Sequence, residues 1–244
     1  MDKQISIITG AAKGIGKAIA QRMVHDNYMT ILVDVDKKNG AALAKELGNS
    51  AKFIVCDISN EKEVNQLFKT VIEIYKGIDV VVNNAGIIDD NVIWKMPVKN
   101  FDKVIEVNLR GTWLMCKAAG IAMREQKRGR IINIASRAWL GNRGQSNYSA
   151  SKAGIVGLTR VLALELGKYG VFVNAIAPGL IDTPLTQKLS KDIQENLIQT
   201  QPIKAIGKPE DIANTVSFLS NENTKYITGQ IIYVDGGKSI GAGI

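Results

Sequence analysis

Short apolar runs rich in β-branched residues recur along the chain, at 5–8, 30–33, 52–55, 79–82, 130–134, 171–176 and 231–234. Most lack the strict alternation of a half-exposed strand, so they predict strands buried on both faces. Between them, at 15–25, 41–47, 63–75, 101–123, 150–168 and 209–219, the spacing predicts amphipathic helices. Strands separated by helices imply a parallel sheet covered on both sides. Right-handed crossovers then give an α/β fold, a doubly wound (Rossmann-type) sheet that binds ligands at the carboxyl ends of its strands. The alternation occupies the whole chain, so 1–244 reads as a single domain. The long polar stretch 184–200 is predicted to be a substrate lid.

Composition keeps this picture and narrows the chemistry. With 244 residues, 45% hydrophobic and 22% charged, the chain suits one large globular domain. The apolar stretch at 5–8 is too short for a signal-peptide core, and no later run is long enough to span a bilayer, so a soluble cytoplasmic protein is expected. Cys56 and Cys116 are isolated and lack metal-ligand spacing, which predicts two reduced, buried thiols. His25 is the single histidine and sits in a polar, helix-like stretch. A histidine-based triad or metal cluster is therefore not expected, and the chemistry must use other groups.

The net charge of +8, from 31 Lys and Arg against 23 Asp and Glu, permits an anionic partner such as nucleic acid, a coenzyme A thioester or an acidic carrier protein. The basic residues are dispersed and no RNA-binding aromatic motif is present, so a solvated lysine surface is the plainer reading and nucleic acid is disfavoured.

The first strand runs into Thr9-Gly10-Ala11-Ala12-Lys13-Gly14-Ile15-Gly16, which opens directly into a helix. Glycines allow the tight turn and let backbone approach a pyrophosphate, which the helix N-terminus then holds. Position after the first strand and before a helix makes this a dinucleotide signature rather than an ordinary turn. Asp34 ends the second strand, about twenty residues on, where such folds bind the adenosine ribose. Asp57 ends the third and is a candidate for the adenine, or else a helix cap. The fourth ends in Asn83-Asn84-Ala85-Gly86, whose amides need partners at the sheet edge or on a cofactor.

Beyond the fifth strand stand Ser136 and then Tyr148-Ser149-Ala150-Ser151-Lys152. If that segment is helical, Tyr148 and Lys152 lie one turn apart on the same face. A lysine ammonium favours the phenolate, which would lower the tyrosine pKa from about 10 and fit it for acid–base work near neutrality. A serine hydroxyl at the end of a neighbouring strand can orient a substrate oxygen.

Taken together, Thr9-Gly-x-x-x-Gly14-Ile15-Gly16, Asn83-Asn84-Ala85-Gly86, Ser136, Tyr148-x-x-x-Lys152, Pro178-Gly179 and the final Val234-Asp235-Gly236-Gly237 resemble the short-chain dehydrogenase/reductase family. The order matches over nearly the whole chain. The resemblance implies interconversion of a carbonyl and an alcohol, with Tyr148 exchanging the proton and Ser136 positioning the oxygen. It implies that Lys152 holds the nicotinamide ribose and depresses the tyrosine pKa. Asn108, in Val107-Asn108-Leu109-Arg110-Gly111, would anchor a water relaying protons to Lys152. It also places the cofactor against Gly10, Lys13, Gly14, Ile15, Gly16, Asp57, Ile58, Asn84, Ala85 and Gly86. Pro178, Gly179, Ile181 and Thr183 would meet the carboxamide side. No metal is implied.

Gly86-Ile87-Ile88-Asp89-Asp90-Asn91 and Tyr226-Ile227-Thr228-Gly229-Gln230 are most similar to the 3-oxoacyl-[acyl-carrier-protein] reductases, which usually prefer NADPH. Lys127-Arg128-Gly129-Arg130 and Lys168 would form the carrier patch, or else be solvated helix ends. Asp34 points the other way, to NAD(H) over NADP(H). Trp139, with Trp94 as a second wall, would suit an apolar or cyclic substrate. Three readings stand: a 3-oxoacyl thioester reductase, an NAD-dependent dehydrogenase of a secondary or cyclic alcohol, and a non-enzymatic dinucleotide sensor or nucleic-acid binder. The intact Ser136, Tyr148 and Lys152 argue against the last. The resemblance implies a homotetramer built on the long helices near 101–123 and 150–168.

Overall fold

In the computed structural model, which describes residues 3–240, all seven expected strands form: β1 (Ile5–Thr9), β2 (Met29–Asp34), β3 (Ala51–Val55), β4 (Val80–Asn83), β5 (Gly129–Ile134), β6 (Val171–Pro178) and β7 (Ile231–Val234). They make one parallel sheet in the order β3-β2-β1-β4-β5-β6-β7. The order reverses between β1 and β4, which opens a crevice at their carboxyl ends.

Register explains why the central strands read as apolar throughout. Ile7 lies opposite Ile31 and Val81, Val81 opposite Ile131, and Ile131 opposite Val173, forming one row in one core cluster. One residue along, Ile8, Leu32, Val82 and Ile132 form the row of the second cluster on the opposite face. The first face is covered by α3 (Glu61–Tyr75), α5 (Thr112–Gln126) and α6 (Ser146–Leu166), and the second by α1 (Gly14–His25) and α8 (Pro209–Ser220).

Helix starts depart from the periodicity where polar caps set them. The helix expected from 41 is α2 (Lys37–Leu47), because Asp36 accepts the Asn39 N–H and begins it four residues earlier. Asn60 caps α3 through the Lys62 and Glu63 N–H groups. The helix expected from 150 starts at Ser146, which brings Tyr148 and Lys152 into one helix.

The single helix expected over 101–123 is corrected. Here α4 (Val98–Ile105) passes into a widened π turn at Glu106–Gly111 before α5. Asn108, fully buried in that turn, accepts the Ile87 N–H (2.8 Å) and donates to the Ile87 carbonyl (2.9 Å). At Gly111 an added Cβ would lie 2.9 Å from Ile58 side-chain carbons. A π turn of this kind commonly marks a functional site.

The stretch 184–200 holds a short turn at Thr186–Lys188 and α7 (Lys191–Gln199), which buries no side chain. Cys56 and Cys116 are free and buried, and burial pushes both thiols up to about 12. Among the described residues no helix is long and apolar enough to cross a membrane, and no acidic, histidine or cysteine cluster could hold a metal.

Candidate active site

At the mouth of the crevice, Gly10 has φ +64° and an added Cβ would sit 2.8 Å from Ala85 Cα. A Cβ at Gly16 would collide with the Gly10 carbonyl oxygen. Both positions require glycine. The loop is braced from β4: Thr9 Oγ1 accepts the N–H groups of Asn84 (3.0 Å) and Ala85 (3.1 Å), and Asn84 Nδ2 donates to the Thr9 and Gly10 carbonyls. Lys13 is exposed at the start of α1, whose first turn has neither a side-chain cap nor an acidic residue. Those N–H groups offer an anion site at the mouth. Glycine at 10 and 16 lets the loop pack tightly on Ala85 and Asn84, and the uncapped α1 N-terminus beside it fits a dinucleotide pyrophosphate.

Asp34 is half-buried at the end of β2, and both its oxygens are anchored: Oδ2 accepts the Ala12 N–H and Oδ1 the Asp36 N–H, each at 3.0 Å. Asp57 is exposed and its Oδ1 organises Ser59, while the capping of α3 falls to Asn60. Ile58 is buried beneath Gly111. The two amides of β4 divide their work. Asn84 braces the glycine loop, whereas Asn83 Nδ2 donates inward to Asn133 Oδ1 (2.8 Å), and Asn133 passes the chain to Thr159 on α6 (2.9 Å). Opposite them, Pro178 ends β6, and a Cβ at Gly179 would press within 2.7 Å of Asp235. Ile181 is buried, its carbonyl held by the Thr186 hydroxyl, and Thr183 and Pro184 face Gly14.

On the substrate side the sheet and α6 bring Ser136, Tyr148 and Lys152 together. Ser136 follows β5 and accepts the Ala138 N–H (3.1 Å), which fixes its hydroxyl. Lys152 is 3% exposed, donates to the Ile134 carbonyl (2.8 Å) and lies 5.5 Å from the centre of the Tyr148 ring. At Gly86 a Cβ would stand 3.2 Å from Asn108 Oδ1 and 3.7 Å from Lys152 Nζ, so the backbone there passes directly over the lysine. Asn108 Nδ2 reaches Ser151 Oγ (3.3 Å), which in turn donates to the Tyr148 carbonyl (2.7 Å). Asn108 therefore clamps the segment after β4 to α6.

The electrostatics correct one expectation. Burial raises the Tyr148 phenol above its usual 10; a hydrogen bond from Ser136 pulls it back, and the Asp90 carboxylate raises it further. The Lys152 ammonium gives its hydrogen bond to the Ile134 carbonyl, and burial lowers its own pKa to about 8, so the net direction for Tyr148 is upward.

Trp139 is partly buried and packs on the cluster of Ala135, Ile155 and Val156. Trp94 is 74% exposed and, with Arg143 and Ser149, borders a groove of about 320 Å³. Of the basic group, Arg130 is buried and bound to the Thr224 carbonyl, whereas Lys127, Lys168 and Arg128, which pairs with Asp79 at 3.1 Å, are exposed. Lys127 caps the end of α5 in a left-handed conformation. Asp90, named above only within Gly86–Asn91, joins the segment after β4 to the start of α6 together with Gln145 and Asn147, which carried no expectation. Amides at 142, 145 and 147 immediately ahead of Tyr148 were the available signal, by the same logic as Asn83 and Asn84.

A family model described as Enoyl-(Acyl carrier protein) reductase matches residues 10–239. The chain is 42% identical to the (2S)-[(R)-hydroxy(phenyl)methyl]succinyl-CoA dehydrogenase subunit BbsD of Thauera aromatica, over 100% of this chain and 99% of that one. It is also 42% identical to a 3-oxoacyl-[acyl-carrier-protein] reductase of Synechocystis, over 96% of each. Among solved structures, levodione reductase superposes with a TM-score of 0.93 at 34% identity, covering 97% of both chains.

Proposed function

Since the chain belongs to the short-chain dehydrogenase/reductase family and is an oxidoreductase acting on CH–OH groups, we propose that it interconverts a 3-oxoacyl and a 3-hydroxyacyl thioester, with NAD(H) preferred. The observation that carries the reading is the convergence of Ser136, Tyr148 and Lys152 beside Gly86, at the crevice that the glycine cradle opens.

A bound nicotinamide dinucleotide supplies or takes up the hydride. Gly10, Gly14, Ile15 and Gly16 with the α1 N-terminus would hold its pyrophosphate, Asp34 its adenosine ribose, and Ile181 and Thr183 its carboxamide side. Asp57 and Ile58 would flank its adenine. During reduction Tyr148 donates its phenolic proton to the substrate oxygen, and Ser136 hydrogen-bonds that oxygen as charge develops. In oxidation the same phenol, ionised, accepts the alcohol proton. Lys152 places a positive charge beneath the phenol that stabilises the phenolate as it forms. Two hydroxyls aimed at one oxygen suit carbonyl reduction; an enoyl substrate needs its proton delivered to carbon.

The thioester assignment draws on two relatives whose names carry an acyl group on a carrier, protein in one and coenzyme A in the other. The test is consumption of reduced cofactor with acetoacetyl-CoA. Turnover supports the reading, and reduction of cyclic ketones with no thioester activity overturns it. The groove bordered by Trp94 favours that second reading, a dehydrogenase of a secondary or cyclic alcohol.

Assembly is proposed as a homotetramer in the cytoplasm. Trp113, Ile121 and Leu164 are exposed on α5 and α6 at 45%, 52% and 84%, the apolar surface that a helix-to-helix interface would cover. Residues 184–200 are proposed as the lid, since α7 buries no side chain and can move at little packing cost.

A further inference from the structure

Two chain segments flank Tyr148 and are sewn together. From the β4 side, the Asn91 N–H donates to the Gly144 carbonyl (2.8 Å) and the Asp89 carbonyl accepts Asn147 Nδ2 (2.8 Å). Gln145 Nε2 donates to Asp90 Oδ2 (2.8 Å), and Asn142 Nδ2 holds Gln145 Oε1 (2.9 Å). Asn147 is fully buried and accepts the Tyr148 N–H (2.7 Å). Gln145 stands at the N-cap of α6 yet gives that helix no side-chain cap. Its amide is spent sideways, on Asp90. The Gln145 amide thus ties the first turn of α6 to a carboxylate that acts on the reacting phenol.

We propose that Asp90 and Gln145 are a positioning pair for Tyr148, tying the first turn of α6 to the segment that leaves β4 so that the phenol stays in register with Ser136. The inference rests on Tyr148 as the acid and base of the reaction. The tie also keeps one carboxylate charge beside the phenol. The charged and titratable groups facing Tyr148 are Lys152 from its own helix and Asp90 from the β4 side, with the Ser136 hydroxyl beyond β5. Asp89 acts on Asp90 in turn, and burial raises the Asp90 carboxyl while Gln145 lowers it. An ionised Asp90 opposes formation of the phenolate, so it holds the proton on Tyr148 to higher pH.

Charge and tether can be separated. Asn at 90 can still accept the Gln145 amide but carries no charge. Asp90→Asn is therefore expected to keep most of kcat at its own optimum while moving the pH profile of kcat about half a pH unit to the acid side. Gln145→Leu and Asp90→Ala cut the tether and are expected to lower kcat about tenfold with little change in KM. Dinucleotide binding by fluorescence, measured on each variant, reports that the protein is folded. A wild-type pH profile in Asp90→Asn, or wild-type kcat in both tether variants, overturns the pair. Tyr148→Phe is assayed alongside: turnover there overturns the acid–base reading itself, whereas an inactive Phe variant with an unmoved Asp90→Asn profile overturns only the pair.

Discussion

Lys152 lies one helical turn beyond Tyr148, with its ammonium 5.5 Å from the phenol ring centre and its hydrogen bond given to the Ile134 carbonyl. The two residues thus share a buried pocket without sharing a proton in the free protein. Burial acts on both in the same sense, disfavouring each charged form, so the pair rests as a neutral phenol beside a weakened ammonium. Charge developing on the substrate oxygen, not the resting ion pair, is what the site is built to meet.

Tyr148→Phe is expected to remove turnover and leave dinucleotide affinity near wild type, because the ring's packing is kept and only the proton is lost. General acid catalysis supplies about 10²–10⁴-fold. A Phe variant with more than about a tenth of wild-type kcat would show that another group moves the proton.

Lys152→Met is expected to abolish turnover and raise stability together. The side chain is 3% exposed and its pKa falls from 10.5 to about 8, so at pH 7 the fold carries a buried charge with a single backbone acceptor. Removing it should raise Tm by about 2–6 °C at pH 7. The sign in pH follows from proton counting. Between pH 8 and 10.5 the unfolded chain holds a proton that the folded chain has released, so wild-type stability gains relative to the variant as pH rises through that window. Thermal melts of both proteins at pH 7 and 9.5 measure the gap, and a gap that widens with pH contradicts the assignment.

Gly16→Ala tests the cradle. Its Cβ would drive into the Gly10 carbonyl, displacing the loop that Asn84 and Thr9 hold. We expect dinucleotide Kd to rise at least about tenfold while the substrate-side residues stay in place. Equal cofactor affinity in the variant would mean that the pyrophosphate lies elsewhere.

Strands were legible because the central strands are mostly apolar on both faces, as the rows through Ile7 and Ile8 require. The glycine loop, Asp34 and Ser136 stood out because each follows a strand end, and Tyr148 and Lys152 because their spacing puts them one helical turn apart. What escaped was tertiary in origin. The π turn at Glu106–Gly111 exists because Asn108 reaches a loop twenty-one residues away, and apolar periodicity does not register such a bond. Arg130 looked like surface charge although its guanidinium is spent on the Thr224 carbonyl. The direction of the Tyr148 shift failed for a related reason, since spacing reveals the neighbouring charge but not the depth of burial.

The proposed preference for NAD(H) rests on Asp34. Its two oxygens accept the Ala12 and Asp36 N–H groups at 3.0 Å, so the carboxylate is fixed at the end of β2 and cannot swing away from an incoming group. Ribose hydroxyls can donate to the lone pairs that remain. The 2′-phosphate of NADP(H) would instead meet a stationary negative charge. Like charges at about 4 Å repel by roughly 4 kcal/mol at an effective dielectric of 20. Solvent screening at this half-exposed position removes a large part, leaving one to two orders of magnitude in discrimination, by rough estimate. Lys13, Lys37 and Lys38 oppose this, but all three are exposed side chains free to point into water. A rigid anion outweighs mobile cations here, because the lysines must lose side-chain freedom to bind while Asp34 has already been ordered by its own backbone. The expected outcome is a kcat/KM at least about tenfold higher with NADH than with NADPH in the wild type, and a ratio that collapses in Asp34→Ser. A wild type that prefers NADPH would give the lysines control, and an unchanged ratio in the variant would take Asp34 out of the ribose site.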